Sequence, residues 1–216
     1  MAYRRTARVE KVLRDKRGRI LHAVRAVVGE VGFRGAQVAM VADAAGVAVG
    51  TVYQYFPSKA ELFAEALGLN ARHEIDVMAS VVAAEGSAAT RLADAVRVFA
   101  HRAVEARRLA YAMMAEPAEP AVDVARLVYR RAIGELLEGV IRDGIAAGEF
   151  PEQDARASAA CLVGAFMEGL VGPLAPESID VSDTRALVEA IAVFCLQAVS
   201  ARPVPARVFP AAEVSA

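Results

Sequence analysis

Apolar residues recur along this chain at spacings of three and four, the period of helices buried on one side, and no segment alternates as a half-buried strand does. From Arg19 the series Ile20, Ala23, Val24, Val27, Val28 and Val31 predicts a helix, ended by Gly32 and Gly35. A short helix is predicted over Val38–Ala45, burying Val38, Val41, Ala42 and Ala45 and closed by Gly46. Another fits Val49–Tyr55 and stops at Pro57. Ser58, Lys59, Ala60 and Glu61 read as a capping box, in which a hydroxyl and a carboxylate satisfy free amides at a helix start. The long helix it opens runs over 59–84, with Leu62, Phe63, Ala66, Leu69, Ile75 and Met78 apolar.

Breakers divide the remainder into further helices, over 88–105, 107–115, 122–147, 152–171 and 182–200. Pro117 and Pro120 interrupt before the third of these, Gly148 stops it, and Ser182 is placed to cap the last. Pro203, Pro205 and Pro210 mark 202–216 as an extended tail. The pattern predicts an all-α chain with three parts: a head over 1–57, a helical body over 58–201 and the tail.

Composition agrees and narrows the function classes. Ala supplies 48 of 216 residues while aromatics are 6%, a balance that favours helices over sheets. Cys161 and Cys195 are too few for a disulfide scaffold, and His22, His73 and His101 have no metal-ligand spacing. Ile20 to Val28 is broken by His22 and Arg25 and does not read as a signal segment. The longest uncharged run, 44–58, is too short and too interrupted by Gly46, Gly50 and Pro57 to span a bilayer. We therefore expect a cytoplasmic protein with no membrane partner. No nucleophile–base pair, metal cluster or phosphate-cradling glycine loop is evident, so neither an enzyme nor a cofactor is expected.

Charge changes the picture more. The net charge of −1 conceals two opposed halves: residues 1–60 hold eleven Lys and Arg against four Asp and Glu, a net of +7, and the rest sums to −8. Arg4, Arg5, Arg8, Lys11, Arg14, Lys16, Arg17 and Arg19 crowd the start. A basic segment on an acidic body suggests a head that grips a polyanion, the alternative being a solvated N-terminal arm.

Three short helices before a long one, with the basic excess on the first part, is the layout of a helix-turn-helix head. Ala42, Gly46 and Val52 fall where that unit needs a small residue at the crossing, a turn glycine and an apolar anchor. The segment from Ala45 through Gly50-Thr51-Val52-Tyr53-Gln54-Tyr55-Phe56 to Leu62 closely resembles the recognition-helix signature of the TetR family of transcriptional regulators. Gly32-Phe33-Arg34-Gly35-Ala36 matches that family's entry to its second helix. The resemblance covers residues 19–66. It implies a homodimer that binds a near-palindromic double-stranded DNA operator, usually represses, and is released by a small-molecule effector held in a helical C-terminal domain. Without an operator, the same chain would read as an all-helical small-ligand-binding protein.

Carried over by position, the resemblance places Val49, Gly50, Thr51, Tyr53, Gln54 and Tyr55 at the DNA and Lys59 at a phosphate. The chemistry is compatible. Gly50 admits close backbone approach, Thr51 and Tyr53 can donate to phosphate, Gln54 can pair with an adenine edge, and Val49 can touch a thymine methyl. Val52 and Phe56 are expected in the core. Gln37 stands where relatives commonly carry Ser or Thr; it can reach a phosphate but caps poorly. The recognition segment has no charged residue, so the Arg-rich arm and Lys59 are expected to carry the salt-dependent affinity.

In the body, two apolar stripes are assigned to dimerisation through the last two helices. One runs through Cys161, Leu162, Ala165, Phe166, Gly169 and Leu170, the other through Leu187, Ala190, Ile191, Phe194, Cys195 and Ala198. An intrachain core explains each stripe nearly as well. For a partly apolar effector the candidates are Phe99, Met113, Met114, Tyr129, Phe166 and Met167, with His101, Glu116 and Glu168 as polar anchors. The neighbours of Cys161 and Cys195 are apolar, which points to packing rather than redox chemistry.

Overall fold

A computed structural model describes residues 7–177 and 183–202, and among these it contains nine helices and no strand. They are α1 (Ala7–Gly35), α2 (Val38–Ala45), α3 (Val49–Tyr55), α4 (Lys59–Val82), α5 (Ala88–Glu105), α6 (Arg107–Met114), α7 (Pro120–Ala146), α8 (Ala155–Leu174) and α9 (Thr184–Ser200). The chain is all-α, as its periodicity predicts.

α1 to α3 fold around Ile20, Val24, Val28, Val41, Val52 and Phe56, all nearly without exposure. The turn between α2 and α3 needs Gly46, whose φ of 64° lies in the left-handed region that disfavours a Cβ. α4 then runs from the head into the body. It contributes Phe63, whose ring packs 5.6 Å from that of Phe33, and it also contacts α5 and α7. The buried side chains of head and body form one continuous cluster. α7 and α8 pack along each other, as do α5 and α9.

Several elements differ from the sequence-based expectation. α1 begins at Ala7, so the described part of the basic segment is helix rather than arm. Nothing in the apolar pattern before Ile20 signals this, and residues 12–19 include no buried side chain. Pro120 opens α7 instead of interrupting it, since a first-turn residue needs no amide bond. α8 carries Pro173 inside its final turn and ends beyond the expected 171. It is long and apolar enough to cross a membrane, yet packs along α7 and α9 with Leu162, Phe166 and Leu170 buried. Ser182 lies outside the described residues, and Asp183 caps α9, accepting from the Ala186 amide at 2.8 Å. Residues 203–216 of the expected tail lie outside the described residues as well. The two stripes assigned to dimerisation are divided: Leu162, Phe166, Leu170, Ile191 and Cys195 are buried within the chain. Cys161, Ala190, Phe194 and Ala198 face outward.

Candidate DNA-binding head and effector cavity

α3 shows solvent one face and the core the other. Val52 is 1% exposed and Phe56, its C-cap, is 1% exposed, while Val49 is 40% and Tyr53 48% exposed. Gly50 and Gln54 are exposed beside them, and the space around Gly50 is open. Val49, Gly50, Tyr53 and Gln54 are spaced at three and four, so they form one outward face of hydrogen-bonding and apolar groups without charge. Thr51 is half-buried at its edge, and Tyr55 is half-buried against the core. Gln37, the N-cap of α2, is exposed, and its side chain makes no capping bond, as expected of Gln.

Ser58 caps α4, its Oγ accepting from the Glu61 amide at 3.1 Å. The expected return bond is not formed; the Glu61 carboxylate lies 3.4 Å from the Ser58 hydroxyl instead. Lys59 is half-buried, with Nζ 5.1 Å from the Phe63 ring centre and 3.4 Å from the Glu119 carboxylate. Arg17, expected among the phosphate-binding residues, is committed inward: it pairs with Glu65 and lies over the Phe56 ring at 4.9 Å.

The α6–α7 loop that carries Glu119 grips the head at a second point. The Glu116 carboxylate accepts the Phe33 amide at 2.8 Å and the Arg34 amide at 3.3 Å. Those amides are free because Gly32 leaves helical geometry, at φ 74° and ψ 177°. A Cβ on Gly32 would lie 2.5 Å from the Glu116 carboxylate oxygens, so the contact requires glycine. Glu116 is therefore a tie between body and head rather than a cavity anchor.

Arg126 fixes this loop from behind. It is 8% exposed and lies on the buried stripe of α7. Its guanidinium donates to the carbonyls of Ala112 at 2.7 Å, Met113 at 3.0 Å and Glu116, and to the Asp123 carboxylate at 2.6 Å. These are the carbonyls that the end of α6 leaves unpaired. Its carbon centre also lies 5.8 Å from the Phe33 ring centre. Burial pulls the Arg126 pKa down against the opposing pull of Asp123. Sequence reasoning missed it, although an arginine four residues after Val122 and three before Tyr129 on an apolar stripe was the available signal.

Behind α6 lies a cavity of about 210 Å³. Phe99, Met113, Met114 and Tyr129 line it, with Leu109 and small alanines between them. Polar groups absent from the sequence-based set line it too: Arg25, Asn70, Glu74, Arg102 and Glu105. Arg102 pairs with Glu74 through two bonds, at 2.7 and 2.9 Å, which hold its pKa up against desolvation. The Asn70 carbonyl oxygen is buried without a partner. Burial drives the Tyr129 pKa up, so its hydroxyl is neutral at physiological pH. Phe166 packs edge-on against Phe99, centres 5.0 Å apart, and backs the wall without lining it. Met167 is core, His101 is exposed and pairs with Glu105 at 3.4 Å, and Glu168 is exposed. Among the described residues no cluster could hold a metal ion. Cys161 is exposed; Cys195 is buried, and burial pushes its thiol up to about 11, which makes it a poor nucleophile.

Comparison with known proteins agrees with this geometry. The family model for bacterial regulatory proteins of the tetR family matches residues 20–66, and the model for a tetracyclin repressor-like C-terminal domain matches residues 88–192. The chain is 51% identical over 55 residues to the HTH-type transcriptional repressor KstR of Mycobacterium tuberculosis, a match spanning 26% of this chain and 25% of that protein. It is 46% identical over 54 residues to KstR of Rhodococcus jostii, spanning 25% of this chain and 26% of that protein. The match thus spans about a quarter of the length of these curated relatives. Among solved structures, the regulator FadR from Bacillus subtilis in complex with stearoyl-CoA superposes with a TM-score of 0.70 at 22% identity, covering 85% of this chain and 97% of that one. FadR from Bacillus halodurans gives 0.69 at 22% identity, covering 83% and 97%. At such identities the superpositions establish the fold, and the two family models, one on the head and one on the body, establish the kinship. The chain belongs to the TetR family of bacterial regulators.

Proposed function

We propose that this protein is a ligand-responsive DNA-binding regulator, a repressor that binds a near-palindromic operator as a cytoplasmic homodimer and leaves it when a small effector enters the body. The observation that carries this is the outward face of α3: Val49, Gly50, Tyr53 and Gln54 stand clear of the core on a helix anchored by Val52 and Phe56. Gln54 would read a base edge, Tyr53 and Thr51 would hold phosphates, and Lys59 would exchange Glu119 for a phosphate. That exchange is cheap because the pair is partly solvated. Homodimerisation is supported by what α8 and α9 leave outside. Val193 is 44% and Phe194 58% exposed, and small residues Ala157, Ala160, Cys161 and Gly164 make a flat stripe on α8.

The effector's route to the head runs along α6. Met113 and Met114 line the cavity, and the loop after them carries Glu116 and Glu119, which hold the head at Phe33, Arg34 and Lys59. A molecule that displaces α6 would move the head through those contacts. The bound stearoyl-CoA of the Bacillus subtilis FadR structure is consistent with a partly apolar effector.

Operator binding tests the reading. On DNA fragments selected from the source genome, Tyr53→Ala weakens binding about tenfold, and Lys59→Ala lowers the slope of log affinity against log salt by about one. If both variants bind like the parent, the assignment is wrong.

A further inference from the structure

Arg25 of α1 stands where two hollows join. It lines the cavity beside Phe99, Met113 and Tyr129, and it also lines a more open groove with His22, Arg107 and Arg108. Glu105, Ala106 and Leu109 border both spaces as well, so cavity and groove lie side by side across a shared rim.

The two ends differ in chemistry. The inner end is aromatic and thioether-rich, and its ion pair, Glu74 with Arg102, is closed on itself by two short bonds. The outer end is lined by Arg25, Arg107 and Arg108 together with Glu105. Glu105 is in turn approached by His101. Arg25 and Arg108 are exposed and make no ion pair among the described residues. Arg107 is held in place by donating to the carbonyls of Leu174 at 3.4 Å and Ala175 at 3.0 Å. In a body of net negative charge, a cationic mouth beside an apolar chamber selects by sign as well as by shape.

We infer that the effector is an anionic amphiphile, its apolar body in the cavity and its carboxylate or phosphate head in the groove between α1 and α6. This rests on the effector-binding reading above and adds the ligand class. The unpartnered Asn70 oxygen accepts an N–H or O–H of the ligand body, because an acceptor buried without a donor is costly until one arrives. The groove walls are also the helices that the Glu116 tie joins. A head group seated there pushes on α1, the first helix of the DNA-binding head, and on α6 together.

The test titrates the full chain by calorimetry with octanoyl-CoA, octanoate, octanol and unacylated CoA. The expected result is that octanoyl-CoA or octanoate binds at least about tenfold tighter than octanol. Added salt weakens the anion and leaves octanol unchanged. Preference for octanoate identifies a carboxylate head, and preference for octanoyl-CoA a phosphate head. The double variant Arg25→Gln and Arg108→Gln, both at exposed positions, loses that advantage and keeps the affinity for octanol. Octanol binding as tightly as the anions, salt-independent anion binding, or binding of none of the four overturns the ligand class. Retention of genome-selected DNA by the same preparation is measured alongside. Its failure would remove the regulator reading, whereas retained DNA with any of the overturning titrations removes the ligand class alone.

Discussion

The head and the body carry their functional groups on opposite sides of their surfaces. The head hides an aliphatic core and turns Val49, Gly50, Tyr53 and Gln54 outward. The body turns polar groups inward: Arg126 is buried at the end of α6, and Glu74, Arg102 and Asn70 are half-buried around the cavity. A surface that must meet a rigid duplex is best served by fixed side chains on an anchored helix. A chamber that must admit a ligand is better lined by adaptable methionines and by polar groups that hold the wall while it yields. The two regions share one continuous apolar core, yet among the described residues the polar contacts between them are few: Glu116 on the Phe33 and Arg34 amides, Lys59 on Glu119, and Arg17 on Glu65. Under the proposed function, an effector in the body would reach the head through this short list of contacts.

The largest effect that would break the contrast comes from Arg126. Arg126→Met keeps the volume but leaves the Ala112, Met113 and Glu116 carbonyls unpaired, which should cost about 2–4 kcal/mol of stability in a denaturant titration. A loss within about 0.5 kcal/mol would show that the end of α6 finds other partners. Glu116→Gln should act more on communication than on folding. It retains one acceptor for the two amides, so stability falls by about 1 kcal/mol and the coupling between effector and operator falls about fivefold. Unchanged coupling, measured as operator affinity with and without saturating effector, would move the transmission elsewhere.

The smallest effect concerns a purely structural carboxylate in the body. Glu149 accepts from the Ala89 amide at 2.9 Å and the Ala88 amide at 3.0 Å, bonds that hold its carboxyl below the usual carboxylate range. A depressed carboxylate stabilises fully above its unfolded value and loses that contribution as pH falls through its folded one. Melting temperature should therefore fall less steeply with acid, below about pH 5, in Glu149→Gln than in the parent. Parallel curves would deny the effect.

How far this was legible in the sequence depends on how local each signal is. α2 and α3 have the expected bounds because Gly46 and Ser58 punctuate within a few residues. The start of α1 was not legible, since residues 12–19 bury no side chain and periodicity there has nothing to report. The stripes on α8 and α9 could not be divided between core and outer face, because Phe166 and Phe194 look alike until α5 and α7 are placed against them. Phe99, Met113, Met114 and Tyr129 were readable as apolar cavity candidates. Asn70, Glu74 and Arg102 were not, because their place on the wall depends on how α4 and α5 pack. Glu116 was noticed as polar and given the wrong neighbourhood, since its partners are backbone amides more than eighty residues away.

The central claim is that the outward face of α3 reads DNA sequence. The most direct measurement is the affinity of the purified full chain for a genome-selected fragment against unrelated DNA of equal length, at physiological salt. The account predicts a specific site bound at least about a thousandfold tighter, with the preference lost when Tyr53 and Gln54 are both replaced by Ala. Equal affinity for the two DNAs would contradict it.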